Sequence, residues 1–225
     1  RVVFHDAADE RALVEVGRAP DGWPVRINAQ AVRADRLVLL GTATFHYHAG
    51  FGGGRKSLVP GIAAGDLIAH SHSLTLDLEQ DRIDPRVEIG RLDGNPVAEY
   101  LLACARCCPE AYVINTVLDA AGRLVGLHAG ELDLAHRAAC AAIAEVDRAW
   151  LAEPADLVIA SAGSAMNWIQ SHKALFNAHR AMKPGGRIVL EAPSPEGLGN
   201  ERFRHWVTRP TVAEIYAGLR QSPEV

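Results

Sequence analysis

The chain has 225 residues, 48% of them hydrophobic and 22% charged, a globular composition with enough apolar material for a sizeable core. Its formal net charge of -4 gives no electrostatic ground for binding nucleic acid, and no apolar run approaches the roughly 18 residues that a membrane helix needs. Four cysteines, three of them clustered as Cys104, Cys107 and Cys108, are too few for a secreted disulfide scaffold and point to a reducing cytoplasm.

The chain opens on Arg1 without the zones of a secretory signal, and is expected to be cut from something longer. Residues 2–4 read as a short strand, 10–16 as a helix following Asp9, and 25–28 as a second strand. Residues 36–41, RLVLLG, are a continuous apolar run ending in glycine, the pattern of a parallel strand buried on both faces. In α/β folds ligands bind beyond the carboxyl ends of such strands, and this one leads directly into the stretch 45–73. Residues 80–94 are charged and loop-like. Asn95-Pro96 starts a helix that carries the cysteines. CARCC has no second cluster at zinc-like spacing, and buried structural thiols are the favoured reading. Residues 112–118 and 123–128 read as strands joined by a hairpin-like turn. A long alanine-rich helix covers 132–151, and Pro154 marks a domain boundary.

A second α/β unit follows. It comprises a buried strand at 156–161, a loop at 162–164, a helix over 167–182, a turn at 184–186, a strand at 187–191 and a helix near 201–207. The strand-helix-strand order predicts a parallel crossover. The expected architecture is α/β, with two lobes (1–150 and 151–225), mostly parallel sheets and a site between them.

Chemistry is densest in residues 45–73, FHYHAGFGGGRKSLVPGIAAGDLIAHSHS. The stretch holds His46, His48, His70 and His72 around Gly52-Gly53-Gly54 and Arg55-Lys56. Glycines let a ligand approach the backbone and leave N–H groups for an anion, and histidines offer metal ligands or acid/base groups. GFGGGRK is not a Walker loop, since Arg55 stands where the sixth-position glycine belongs, and it is not GxGxxG. By spacing alone an anion loop and a structural glycine turn are equally supported. A helix from about Ala63 places Asp66 and His70 on one face and His72 roughly 200° further round, so His70 and His72 cannot face one ligand. Any single histidine here is more often solvated or hydrogen-bonded than functional; the set around a glycine loop and a lysine favours function.

This stretch resembles the cofactor-binding core of the nickel-pincer lactate racemase family, with His46, Lys56 and His72 at that family's spacing. The likeness extends through GNPVAEY (94–100), VINTVLD (113–119), IQSHKAL (169–175), KPGGRIVLEAPSPEGLGN (183–200) and FRHW (203–206). The resemblance implies racemisation or epimerisation of a 2-hydroxy acid by a nickel-pincer nucleotide. It implies that Lys56 is joined to the pincer as a thioamide, that His72 is the protein ligand to nickel, and that His46 is one of two acid/base histidines. Gln170 and Lys173 match the pair that faces substrate and cofactor from the second domain; Ile169 stands where the family often has an aromatic, which bears on substrate choice. Gly52, Gly53, Gly54 and Arg55 are expected to line the cofactor. The family's second catalytic histidine lies upstream of Arg1 and the family continues beyond Val225, so a middle portion is expected. The cofactor requires its own biosynthetic enzymes, implied partners, so an expressed protein can be empty of it.

The physical logic agrees. A 2-hydroxy acid has a Cα–H too weakly acidic for ready proton removal, and hydride transfer to an electron-poor ring avoids that step. Two other readings stay open: a non-catalytic nucleotide- or anion-binding protein using GFGGGRK, and, more weakly, a zinc hydrolase using the histidines without an HExxH spacing. Elsewhere, His5-Asp6 orients a ligand or caps a turn, Arg55 pairs with a phosphate or with Asp66, His48 is supporting or superficial, residues 196–199 rim a pocket, and His136, His172 and His179 are solvated.

Overall fold

The computed structural model describes residues 2–221, and the chain divides into one unit running to Arg148 and another beginning at Ala149. In the first, residues 2–6 are irregular rather than a strand. Asp9 does cap, accepting from the Arg11 N–H, but only a single 3-10 turn, Glu10–Ala12, follows. The chain then enters β1 (Leu13–Arg18), not a helix. Val14 and Val16 alternate with Glu15 and Gly17, a period of two. The antiparallel partner β2 (Pro24–Asn28) decides the matter, since strand preference depends on the neighbour available.

Asn28 caps the short α1 (Ala29–Val32), and β3 (Leu37–Thr42) follows. A tight antiparallel hairpin joins β4 (Phe45–His46) to β5 (Gly50–Phe51), and a 3-10 turn, Gly54–Ser57, carries Lys56. Next come α2 (Gly65–Ser73), the small hairpin β6 (Leu76–Asp77) and β7 (Arg82–Ile83), and α3 (Pro96–Arg106). β8 (Ala111–Leu118), β9 (Leu124–Glu131) and α4 (Leu132–Val146) close the unit. The main sheet has the order β3-β8-β9, with β3 and β8 parallel and β8 and β9 antiparallel. Asp119 sets the hairpin turn by accepting the N–H groups of Ala121 and Arg123.

The sheet buries one face. Leu39, Val113 and Val117 point into two apolar clusters, one with Leu58, Leu67 and Leu101, the other with Ala139 and Ile143 of α4. The opposite face carries Val38, Leu40 and Leu127, and Leu40 is 72% exposed. The expectation that 36–41 is buried on both faces is therefore corrected: an aliphatic run is compatible with burial but does not say which faces neighbouring elements cover. All of the crossover from β3 to β8 lies after the carboxyl end of β3, and it contains the glycine-rich turn, α2 and α3.

The second unit contains β10 (Ala155–Ser161), α5 (Trp168–Arg180), β11 (Met182–Glu191), α6 (Glu201–Val207) and α7 (Val212–Gln221). β10 and β11 are parallel and α5 packs on both, a βαβ unit. Pro184-Gly185-Gly186 lies inside β11 as a bulge rather than forming a turn before the strand: Ala155 pairs with Met182, but Leu157 pairs with Arg187, and Gly185 takes a φ of 78° that glycine tolerates. Here too one face is open, with Ile159 75% exposed. The fold is α/β as expected, but the expectation of mostly parallel sheets is corrected: β3–β8 and β10–β11 pair in parallel, whereas β1–β2, β4–β5, β6–β7 and β8–β9 are antiparallel hairpins or neighbours.

Candidate functional site

The site is built on the β3–β8 crossover. After β3 the chain turns through the β4–β5 hairpin and passes back under the strand ends as Gly52-Gly53-Gly54. A Cβ on Gly52 would meet the Thr44 hydroxyl, one on Gly53 the Asn115 carboxamide and the Thr42 carbonyl, and one on Gly54 the His136 ring. Gly53 and Gly54 also have φ of 78° and 52°. The glycines are thus required by close packing of the turn against the sheet and α4. Their donors are engaged too: the Gly52 N–H donates to Thr44 O at 2.7 Å and the Gly54 N–H to Asn115 Oδ1 at 3.0 Å. The expectation of free anion-binding N–H groups is corrected at these two positions.

Lys56 leaves this turn half-buried. α2 delivers His72 to the same place: burial, and then the Lys56 charge, hold the His72 imidazole below its ordinary range. His72 packs edge-on against His48, with ring centroids 5.7 Å apart, and His48 meets His46 at 5.9 Å. Tyr47 lies against both His46 and His48, and burial raises its phenol so that it stays protonated. The structure therefore gathers His46, His48, Lys56 and His72 in the first unit. His48, taken from sequence as supporting or superficial, is the ring that joins the other two. The backbone N–H groups of His48 and Ala49 both donate to His46 Nδ1 at 3.2 Å, which places the proton of the neutral ring on Nε2.

His70 points elsewhere, as the helical period requires. It bonds Asp21 at 2.6 Å and stacks on Trp23, while Tyr100 donates to the same carboxylate. Asp66 pairs with Arg26, which also bonds Glu10. Arg55 pairs neither with Asp66 nor outward: it is 3% exposed, and its Nη2 meets Asp133 at 2.9 Å. His5 approaches the Ala63 carbonyl and the Asn28 amide. His136 is buried, not solvated. Asn95 caps α3 through the Val97 and Ala98 N–H groups and donates to the His48 carbonyl at 2.9 Å. The Asn-Pro signal found the helix start, but nothing local reveals the second bond. Cys104 and Cys108 are buried enough to push their thiols up to about 12, in keeping with structural thiols. Among the described residues, no three His, Cys, Asp or Glu side chains form a metal-binding group, so the zinc hydrolase reading has no ligand set there.

In the second unit Asn167 caps α5, accepting from the Gln170 N–H, and Lys173 Nζ donates to Gln170 Oε1 at 2.5 Å. The loop 194–199 folds over this helix start: Trp168 N–H donates to Gly197 O, Ser171 and Ser194 hydroxyls meet at 2.7 Å, and Gly199 lies against Ile169. His172 is partly buried against Phe176 and Phe203, and burial lowers its pKa, so it is not a solvated residue; His179 is exposed. No helix among the described residues is long and apolar enough to cross a membrane.

Residues 1–84 match the family model described as the lactate racemase N-terminal domain. The chain is 34% identical to lactate racemase of Thermoanaerobacterium thermosaccharolyticum and 32% identical to that of Lactiplantibacillus plantarum, in each case over 91% of this chain and 47% of the relative. The structure of the lactate racemase apoprotein from T. thermosaccharolyticum superposes with a TM-score of 0.81 at 34% identity, covering 91% of this chain and 48% of that one. A protein from Thermotoga maritima shares the fold at a TM-score of 0.75 and 17% identity, covering 98% of this chain and 59% of its own. The chain spans about half the length of the curated relatives it matches, and over that span its sequence and fold are similar to those of lactate racemases.

Proposed function

We propose that this chain is the cofactor-holding part of a racemase or epimerase of a 2-hydroxy acid that works with a nickel-pincer nucleotide. The observation that carries the reading is the meeting of Lys56 and His72 beside the glycine turn, with the Lys56 charge helping to keep His72 neutral. A neutral imidazole is the form that binds a metal, and imidazole suits nickel. The residues fit the group: Lys56 would carry the thioamide link and His72, beside it, would supply the nitrogen ligand. When bound, the group supplies a hydride acceptor, which removes the need to ionise the substrate's Cα–H.

The chain's own side chains bind and move protons. With Nδ1 taken by two backbone N–H groups, His46 offers a proton from Nε2 to the substrate oxygen. Accepting the hydroxyl proton there requires those two contacts to be released. Lys173, steadied by Gln170, would hold the substrate carboxylate as a point charge, and Ile169 beside it bears on which hydroxy acid fits. Arg55 is reassigned from cofactor contact to internal support. The cytoplasm, where enzymes that build such a cofactor would also act, is the proposed compartment.

The test is nickel analysis with intact mass on native protein made alongside the cofactor-building enzymes. A Lys56-dependent adduct with bound nickel is expected. Lys56→Ala should abolish the adduct, while His72→Ala should keep the adduct and lose nickel. Loaded protein with neither adduct nor nickel overturns the reading. Reversible nucleotide binding without an adduct would instead favour the anion-binding alternative, which the engaged Gly52 and Gly54 donors already weaken.

A further inference from the structure

His136 has no part in the chemistry proposed above, yet it is one of the most buried side chains of the protein, 1% exposed. Its ring covers Gly54 so closely that a Cβ there would fall on it. Its Nε2 is 2.9 Å from the Gly52 carbonyl, and its Nδ1 is 3.0 Å from Arg55 Nη2. The guanidinium has no acceptor capacity, so Nδ1 accepts and Nε2–H donates. Arg55 completes the arrangement by donating to the Ala98 carbonyl of α3 at 3.1 Å and to Asp133 of α4 at 2.9 Å. Asp133 is held in turn by Arg137, which pairs with Asp93. A single residue type with one donor, one acceptor and a flat face therefore meets three successive features of the turn: the Gly52 carbonyl, the Gly54 backbone and the Arg55 head group.

The geometry points to His136 and Arg55 as positioning residues for Lys56: a buried clamp that ties the glycine turn to α3 and α4 and fixes the direction in which Lys56 leaves it. Lys56 stands two residues beyond the glycine under the ring and one beyond the clamped arginine. In the 3-10 turn that carries it, the Lys56 N–H donates to the Gly53 carbonyl at 3.1 Å, and that carbonyl belongs to the clamped segment. A turn of this length has little order of its own, so its shape must come from what holds it. The clamp rests on the proposed role of Lys56, but concerns a different property, the lysine's surroundings before any cofactor arrives.

Acylation of the cofactor-free chain reads those surroundings directly. The chain has three lysines, Lys56, Lys173 and Lys183, so the latter two in the second unit are internal references for peptide mass spectrometry. In His136→Leu, and in Gly54→Ala, which pushes on the ring from the other side, Lys56 labelling should rise about fivefold or more relative to the references, with its pH profile moving toward theirs. His136→Gln keeps one donor and one acceptor and should return Lys56 to near the parent rate, a rescue that loss of ring packing alone does not predict. Folded variants with an unchanged Lys56 ratio, or a Gln variant no closer to the parent than Leu, would overturn the clamp. Should the first two variants fail to fold, hydrogen exchange of the parent decides. Amides of residues 54–58 exchanging as slowly as those of α4 uphold it, and exchange as fast as the exposed 119–123 turn overturns it. Labelling is measured without cofactor, so its failure leaves the nickel and adduct tests standing, and theirs leaves it standing.

Discussion

Acid should weaken the first unit through His136. Burial and, after it, the neighbouring Arg55 charge push this imidazole from an ordinary value near 6.5 down to about 4. The groups around it are Arg55 from the glycine turn, the Gly52 carbonyl, and Asp133, Arg137 and Cys140 on its own helix. A proton on Nδ1 would set an imidazolium 3.0 Å from the guanidinium and take away the acceptor that Arg55 uses. Because the folded value is lowered, the unfolded chain binds more protons below pH 6.5. The stability is therefore fully present above that pH and is lost as pH falls toward 4. Between pH 7.5 and pH 5 the loss from this one group is about 2 kcal/mol by linkage. His72 and His172 are shifted in the same direction and add to the slope, so the measurement is a difference. Urea unfolding, followed by hydrogen exchange at the β8 core amides, would be compared for the parent and His136→Gln at pH 7.5, 6.5, 5.5 and 5. The parent should lose about 2 kcal/mol more than the variant over that range. Equal losses would refute the assignment of His136 as a neutral, buried support.

Asn95→Ala removes a helix cap, worth about 1–2 kcal/mol, together with the bond to the His48 carbonyl. It should lower the denaturation midpoint and speed amide exchange in residues 46–49. Gly50→Ala should destabilise by more than about 1–3 kcal/mol, the range for backbone strain alone, since its φ is 72° and its Cβ would fall on the Arg91 carbonyl. Leu67→Ala, at a fully buried position of α2, should cost about 2–5 kcal/mol in the same urea assay. Cys104 and Cys108, with thiols held up near 12, should resist iodoacetamide at pH 8 in the folded chain and react once urea unfolds it, as read by peptide mass.

Much of the chain was legible from sequence because its signals are local. β2, β3, β8, β10, α3, α5 and α6 follow from apolar runs, the Asn95-Pro96 start and turn residues, and their bounds move by only a few residues. The helical period by itself separated His70 from His72, and the structure sends them to different neighbours. Where reading failed, a distant partner had decided. Residues 13–18 became a strand because β2 lies beside them, and the paired glycines of β11 became a bulge because β10 continues alongside.

The same division runs through the site. Sequence by itself determined that Lys56 follows three glycines and that His46 and His72 flank it, since spacing is a property of the chain. It could not determine what the glycines were for. By spacing they read equally as an anion loop or as a structural turn, and they are in part a backbone pressed against Asn115 and His136, residues 61 or more positions away in sequence. Arg55 read as a partner for a phosphate or for Asp66, and His136 as a solvated helical histidine; only the packing of α4 across the end of the β3–β8 pair turned them into one buried hydrogen-bonded group. A side chain's type and spacing are written locally, whereas its burial and its partners depend on which remote segments fold over it.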